Sequence, residues 1–303
     1  MSDSLGTLPS SLLSAGVGLD THAFRYRPDV TRVEDGTARN YSLEEISESV
    51  IWHAAISSLN DPFEVYAKSN RNELGELSEG EWFTLWIKCF AKNSPLCDHI
   101  QVLSTDFLHN LYSDNILKEK LFMLERFRVY DFFGDFIKDF RSIVAIASFT
   151  TKPDSRLMWG YYCQGMKGFC IIYNRNRLLK SRIRLDEVEY GSDGIEINSM
   201  DHAYSYRKVR DDELLFRIPK YKHKEWCHEN ELRSLCQLEG DDIGFGRALQ
   251  LEDCCIDGVI VGSEVAPATK SKLEELSKKF NFVLFHAEAN LEKFGVDISE
   301  YLK

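Results

Sequence analysis

No stretch of this sequence approaches the ~20 consecutive apolar residues that a membrane-spanning helix needs. Residues 1–20 contain no Lys or Arg and no long apolar run, so they do not resemble a secretion signal. The eight cysteines include no pair separated by two residues, which leaves a zinc ribbon or a thioredoxin-type site without support. We therefore expect a cytoplasmic protein with free thiols, no membrane contact and no metal.

Negative charge exceeds positive charge. The chain has 37 Lys and Arg against 48 Asp and Glu, and this net charge of −11 argues against broad nucleic-acid binding. The motifs of four common enzyme classes are missing as well: the nucleotide phosphate loop, the glycine-rich dinucleotide-binding turn, the serine elbow of α/β-hydrolases and the zinc-protease helix. These four classes are therefore disfavoured.

The content of hydrophobic residues, 44%, is ample for a core. Both helical and strand periodicities occur and no internal repeat is present, so the sequence predicts an α+β fold with a mixed, mainly antiparallel sheet. Residues 1–22 are expected to form a loose leader and residues 23–303 a single domain, with a helical insertion at about residues 78–141.

Local signals place the main elements. A capping box at Ser42 predicts the start of a helix, and Pro267 suits the first turn of another. Further predicted helices cover residues 155–164 and 200–216. The predicted strands cover residues 51–57, 142–149, 168–173, 182–190, 229–238, 256–261 and 282–286.

The strand predicted at residues 229–238 carries the most informative charges. Glu229, Glu231 and Arg233 are spaced two residues apart, so an extended backbone would direct all three to one face. Burying two carboxylates and a guanidinium is costly for packing alone. The group is therefore an exposed edge, a structural ion pair or a functional site, and the residues alone leave these three alternatives open.

Five short motifs occur in an order that resembles the bacterial "domain of unknown function 2971" family. They are Phe24–Arg27, Leu59–Glu64, Leu157–Tyr162, Trp226–Arg233 and Asp257–Gly262. The resemblance extends from about residue 24 to residue 286. Two departures stand out: the segment between Glu64 and Ser142 is longer and more helical than the family pattern, and Phe24-Arg25 replaces its usual Tyr-Lys.

The motif order is also similar to that of ADP-ribosyltransferase-like proteins, which implies NAD as the substrate. Cleavage of the nicotinamide–ribose bond passes through an oxocarbenium-like ribose, which a carboxylate on a rigid strand stabilises. The resemblance implies that Glu231 is this catalytic carboxylate and that Glu229 positions the acceptor. The side chains implied to contact the cofactor, through phosphate binding or ring stacking, are Arg25, Tyr26, Arg27, Asn60, Tyr162 and Arg233.

Two functions from different classes follow. The first is an NAD-using ADP-ribosyltransferase-like or NAD-glycohydrolase enzyme, acting as a toxin or phage-defence effector on a protein acceptor or on water. The alternative is a non-catalytic module of a bacterial defence system that binds a nucleotide or a protein. Structural roles compete for some of these residues, because Asn60 fits a tight turn and Tyr162 fits a packed helix face.

Overall fold

The computed structural model describes residues 8–59, 61, 63–65, 67–69, 137–197, 217–252 and 255–301. The chain divides into two compact units, the first formed by residues 1–60, 143–190 and 224–303 and the second by residues 61–142 and 191–223. Asn60, most of the predicted helical insertion and the predicted helix at 200–216 lie outside the described residues.

The strands are β1 (His22–Arg27), β2 (Arg32–Glu34), β3 (Thr37–Arg39), β4 (Val50–Ala55), β5 (Ala67–Ser69), β6 (Val144–Thr150), β7 (Phe169–Asn174), β8 (Asp186–Glu187), β9 (Glu189–Gly191), β10 (Ile195–Ile197), β11 (Tyr221–His223), β12 (Glu231–Gln237), β13 (Gly246–Gln250), β14 (Ile256–Gly262), β15 (Val283–Asn290) and β16 (Gly295–Glu300). The helices with both ends described are α1 (Ser10–Ser14), α2 (Tyr41–Ser47), α3 (Arg156–Tyr162), α4 (Arg175–Lys180) and α5 (Pro267–Phe280). Short 3₁₀ segments cover Ile56–Ser58, Ile218–Lys220, Lys224–Glu229 and Gly240–Asp242.

Within the part of the chain that the structure describes, ten strands of the first unit form one sheet. Its main path is β13-β4-β6-β1-β7-β14-β15-β16, with β12 paired to β6 and β8 paired to β12. The β14–β15 pair is parallel, and the pairs on either side of it are antiparallel. The predicted α+β class with a mixed, mainly antiparallel sheet is confirmed.

Two hydrophobic clusters cover the two faces of the central strands. We call the side covered by α2 and α5 the α5 face; its buried residues include Ala23, Phe149, Ile171, Tyr173, Leu232 and Leu273. We call the other side the α3 face; its buried residues include Leu12, Phe24, Tyr26, Trp159, Cys170 and Ile172. Because consecutive residues of a strand alternate between faces, β1 and β7 are buried on both sides.

Helix α5 follows the predicted boundaries closely. Pro267 occupies its first turn, and Asn281, with a left-handed φ of 58°, ends it. Lys278 and Lys279 lie in the last turn, where a positive charge complements the helix dipole. Among the described residues, no helix is long and apolar enough to cross a membrane.

The start of α2 differs from the prediction. Asn40, not Ser42, is the N-cap: its side-chain oxygen accepts hydrogen bonds from the backbone N–H groups of Ser42 at 3.1 Å and Leu43 at 3.2 Å. The capping-box assignment at Ser42 is therefore wrong by two residues. Glu45 therefore has no capping role, and its side chain points toward the sheet.

The described part of the expected loose leader is folded against the α3 face. Helix α1 buries Leu12 completely, and Val17 is 4% exposed. The hydroxyl of Ser11 donates a hydrogen bond of 2.7 Å to the backbone oxygen of Ile298 in β16. These contacts attach the segment to the edge strand of the sheet.

The second unit contains a separate small sheet and a buried ion pair. Strands β5 and β10 pair in parallel, with Ile195 opposite Ala67. The Nζ of Lys222 lies 3.8 Å from Oε2 of Glu64, and both side chains are 7% exposed. This pair lies within the second unit, whereas the residues of the candidate site below belong to the first.

Candidate functional site

Glu231 and Arg233 form a buried ion pair along β12. Nε and Nη2 of Arg233 donate to Oε1 and Oε2 of Glu231 at 2.8 and 3.0 Å. Glu231 is 4% exposed and Arg233 is 1% exposed. The two side chains share one strand face, and the two parallel hydrogen bonds fix the orientation of the carboxylate.

Glu229 is positioned by a different element. It ends the 3₁₀ segment Lys224–Glu229, and the following Asn230 has a left-handed φ of 43°. The expectation that Glu229 and Glu231 leave one strand face is therefore wrong, since the strand begins only at Glu231. The hydroxyl of Tyr162, at the end of α3, donates a hydrogen bond of 2.7 Å to Oε1 of Glu229. Each carboxylate thus has its own donor.

Thr150 links the backbone of Glu229 to β1 through hydrogen bonds. Its hydroxyl donates to the backbone oxygen of Glu229 at 2.5 Å and accepts from the backbone N–H of Lys152 at 3.0 Å. The hydroxyl of Tyr26 donates to the backbone oxygen of Lys152 at 2.8 Å. Thr150 is also the register partner of Glu231. These hydrogen bonds therefore join Tyr26, through Lys152 and Thr150, to the backbone of Glu229.

Tyr26 itself is a packed side chain. Its ring meets Trp159 edge-on, with centroids 5.3 Å apart, and the residue is 7% exposed. Burial raises the pKa of its hydroxyl well above the ordinary value. Tyr162, by contrast, is 38% exposed. Of the two aromatic residues expected to stack on a cofactor, Tyr162 is therefore the more exposed.

Arg25 and Arg27 lie on the opposite face of the sheet. Glu231 is paired with Thr150, and Thr150 is paired with Phe24, so these three side chains share the α3 face. Because residues alternate along β1, Arg25 and Arg27 point to the α5 face. The strand register therefore separates these two guanidinium groups from the Glu231–Arg233 pair.

Arg25 and Arg27 both contact the carboxylate of Glu45, which the capping-box prediction had assigned to the start of α2. Nε of Arg25 lies 3.3 Å from Oε1 of Glu45, and Nε of Arg27 lies 2.8 Å from Oε2 of the same residue. Arg25 also donates to the backbone oxygen of Trp52 at 2.8 Å and lies over the ring of Phe149, 5.3 Å from its centroid. Glu45 lies in α2, and only the fold brings it to β1.

A buried histidine completes this side of the sheet. Nδ1 of His53 bonds the backbone oxygen of Ile51, and Nε2 bonds the hydroxyl of Ser234, both at 3.1 Å. Burial, followed by the charge of Arg25, lowers the pKa of His53 to about 3. The imidazole is therefore neutral at pH 7, and its position next to Ser234 was not indicated by any sequence motif.

Among the described residues, no group of three or more His, Cys, Asp or Glu side chains could hold a metal ion. Asn60, the remaining residue expected at the site, lies outside the described residues. The residues brought together on the α3 face are therefore Tyr26, Tyr162, Glu229, Glu231 and Arg233.

Comparisons with known proteins bear on this same region. Residues 158–234 match the family model described as "Protein of unknown function (DUF2971)". The matched segment begins in α3 and ends in β12, so it contains Tyr162, both carboxylates and Arg233. No curated protein and no solved structure matches the chain. Over these residues the chain resembles the family Protein of unknown function (DUF2971).

Proposed function

We propose that the chain is an NAD-using enzyme, either ADP-ribosyltransferase-like or an NAD glycohydrolase, that serves as a toxin or phage-defence effector. The observation that carries the proposal is the Glu231 carboxylate, which two hydrogen bonds from Arg233 hold in one orientation. A carboxylate fixed on a strand stabilises positive charge that develops beside it without having to reorganise first. Cleavage of a glycosidic bond generates such a charge on the ribose.

In the proposed reaction the bond between ribose C1′ and the nicotinamide nitrogen breaks, and nicotinamide leaves with the electron pair. Glu231 stabilises the resulting positive charge. A water molecule or an acceptor hydroxyl then forms a bond to C1′, and Glu229 accepts its proton. The ring of Tyr162 is proposed to stack on nicotinamide. Its 38% exposure and its hydrogen bond to Glu229 support this role. Arg25 and Arg27 take no part in this reaction, because they lie on the other face.

The test measures nicotinamide release from NAD by the full chain. We expect Glu231→Gln to lower the rate by at least about 100-fold, as expected when a group that stabilises developing charge is removed. Glu187→Gln is the matched control, since Glu187 is an exposed carboxylate on β8 and is paired with Leu232 of β12. Glu231→Asp retains the charge beside Arg233 and should fold, while its shortened side chain should still lower the rate.

Circular dichroism and melting temperature establish that each variant is folded. A folded Glu231→Gln protein that releases nicotinamide at the wild-type rate would exclude Glu231 as the catalytic carboxylate. If Glu187→Gln lowered the rate as much as Glu231→Gln, Glu231 would also be excluded as the catalytic carboxylate. The loss of activity would then not be specific to Glu231.

The burial of the Glu231–Arg233 pair favours a second function. In this alternative the chain is a non-catalytic module that binds a nucleotide or a protein. Glu231 is 4% exposed and both of its oxygens are bonded to Arg233. An ion pair fixed in this way can stabilise a strand without contacting any substrate. This second hypothesis predicts that the wild-type chain binds ADP-ribose or a purified protein partner and releases no nicotinamide.

A further inference from the structure

The cluster of Arg25, Arg27 and Glu45 carries more positive than negative charge. Two guanidinium groups face one carboxylate. His53 adds no charge, because burial and Arg25 lower its pKa to about 3. The hydroxyl of Tyr173, which donates to Glu45, stays neutral because burial raises its pKa well above the ordinary value. The cluster therefore has a net charge of one, at a place where Arg25 is only 7% exposed. Such a charge is costly unless an anion compensates it.

The same cluster has hydrogen-bond donors that lack acceptors. Nη1 of Arg25 is buried and has no hydrogen-bond partner in the described part of the chain. Nε of Arg27 is 2.8 Å from Oε2 of Glu45, but its N–H is not aligned for a hydrogen bond. The side chain of Arg27 is 18% exposed, so the cluster reaches solvent at Arg27. A buried N–H without a partner is destabilising and is expected to be satisfied by a bound group.

We infer that Arg25 and Arg27 form an anion site on the α5 face that binds a phosphate-type oxyanion. Guanidinium groups present forked donors that match the oxygens of phosphate. The oxyanion accepts from Nη1 of Arg25 and from the outer N–H groups of Arg27, and it cancels the excess charge. Inorganic phosphate and the phosphate of a nucleotide share this chemistry. The site is independent of the proposed reaction, since Glu231 lies on the other face.

The experiment titrates inorganic phosphate into the full chain by isothermal calorimetry at constant ionic strength, with chloride as the reference anion. We expect phosphate to bind and to raise the melting temperature as its concentration increases. Arg27→Gln should weaken phosphate binding by at least about tenfold, and Arg27→Lys, which retains the charge without the fork, by less. Arg39→Gln is the control: the side chain of Arg39 is 42% exposed and bonded to Glu44 of α2, and its loss should leave phosphate affinity unchanged.

Adenosine diphosphate is the second probe and identifies the source of the phosphate. Binding more than tenfold tighter than inorganic phosphate, with the same dependence on Arg27, supports a nucleotide ligand, and similar affinities support free phosphate. The inference is overturned if the wild-type chain binds no phosphate or if Arg27→Gln binds it as tightly as the wild type. Glu231→Gln should bind phosphate normally even where it loses NAD turnover, and a loss of phosphate binding in that variant would overturn the separation of the two sites.

Discussion

The hydroxyl of Tyr162 donates a 2.7 Å hydrogen bond to the carboxylate of Glu229, and this bond links two elements that are 67 residues apart in sequence. Tyr162 ends α3, and Glu229 ends the 3₁₀ segment before β12. Glu229 is 2% exposed, so the bond lies where water competes little. This charge-assisted hydrogen bond therefore helps to fix the position of the 3₁₀ segment relative to α3.

Tyr162→Phe should lower the free energy of unfolding by about 1–3 kcal/mol, because it removes the donor and leaves a buried carboxylate without that partner. Urea unfolding of the purified chain measures the change. Tyr161→Phe is a matched control: Tyr161 is the preceding residue, is 65% exposed, and should change stability by less than about 0.5 kcal/mol. Equal effects of the two substitutions would show that the Tyr162–Glu229 bond contributes nothing specific.

Arg233→Met should destabilise the chain by about 3–5 kcal/mol, because it removes the guanidinium that is bonded to both oxygens of the buried Glu231 carboxylate. The double variant Glu231→Gln/Arg233→Met removes both charges and should lose less than the sum of the two single losses. A double-mutant cycle from urea unfolding at pH 7 measures this coupling. Strict additivity would contradict the pairing, since two residues joined by two hydrogen bonds cannot act independently.

Local patterns predicted the elements around the site well. Ser155 is the N-cap of α3, and the alternating residues 232–237 lie in β12, both close to the predicted boundaries. Helix capping and strand alternation depend on neighbouring residues, so they can be derived from a short stretch of sequence. The same alternation places Arg233 and Leu232 on opposite faces of β12, but it does not predict that both faces are buried.

The composition of the site could not be derived in this way. Whether Arg25 shares a face with Glu231 depends on the register of β1 and β12 with β6, which pairs residues more than 80 positions apart. Glu229 leaves the strand alternation because Asn230 adopts a left-handed conformation, and its sequence neighbours do not require one. Sequence therefore located the charged residues, and long-range pairing decided which of them meet.

His53 should make stability depend on pH. The imidazole binds a proton near pH 6.5 in the unfolded chain but only near pH 3 in the folded chain. Between these values the unfolded state binds more protons, so stability falls as the pH decreases below about 6.5, at up to about 1.4 kcal/mol per pH unit. Above pH 7 the imidazole is neutral in both states and contributes no pH dependence.

The measurement compares urea unfolding of the wild type and His53→Gln at pH 8, 6 and 5. The variant lacks the titrating group, so its stability should fall less steeply below pH 6.5, and the offset between the two proteins at pH 8 gives the pH-independent cost of the substitution. If stability fell equally with pH in the two proteins, the pKa of His53 would not be lowered on folding.

Gly160→Ala should stabilise α3 without altering its contacts. Gly160 lies inside the helix, and a methyl group built at this position meets no atom within 4 Å. Alanine restricts the unfolded backbone and favours a helix over glycine by about 0.5–1 kcal/mol. The melting temperature should therefore rise by about 1–4 °C, and the hydrogen bond from Tyr162 should remain.

Gly262→Ala is the contrasting substitution at the end of β14. Its methyl group would meet the backbone oxygen of Met166 and would lie 2.7 Å from that of Gly168, so the backbone has to shift. A loss of about 1–3 kcal/mol is expected, as for other overpacked positions. Scanning calorimetry of both variants tests the pair. A melting temperature that falls in Gly160→Ala would contradict the open space around this position in the folded helix.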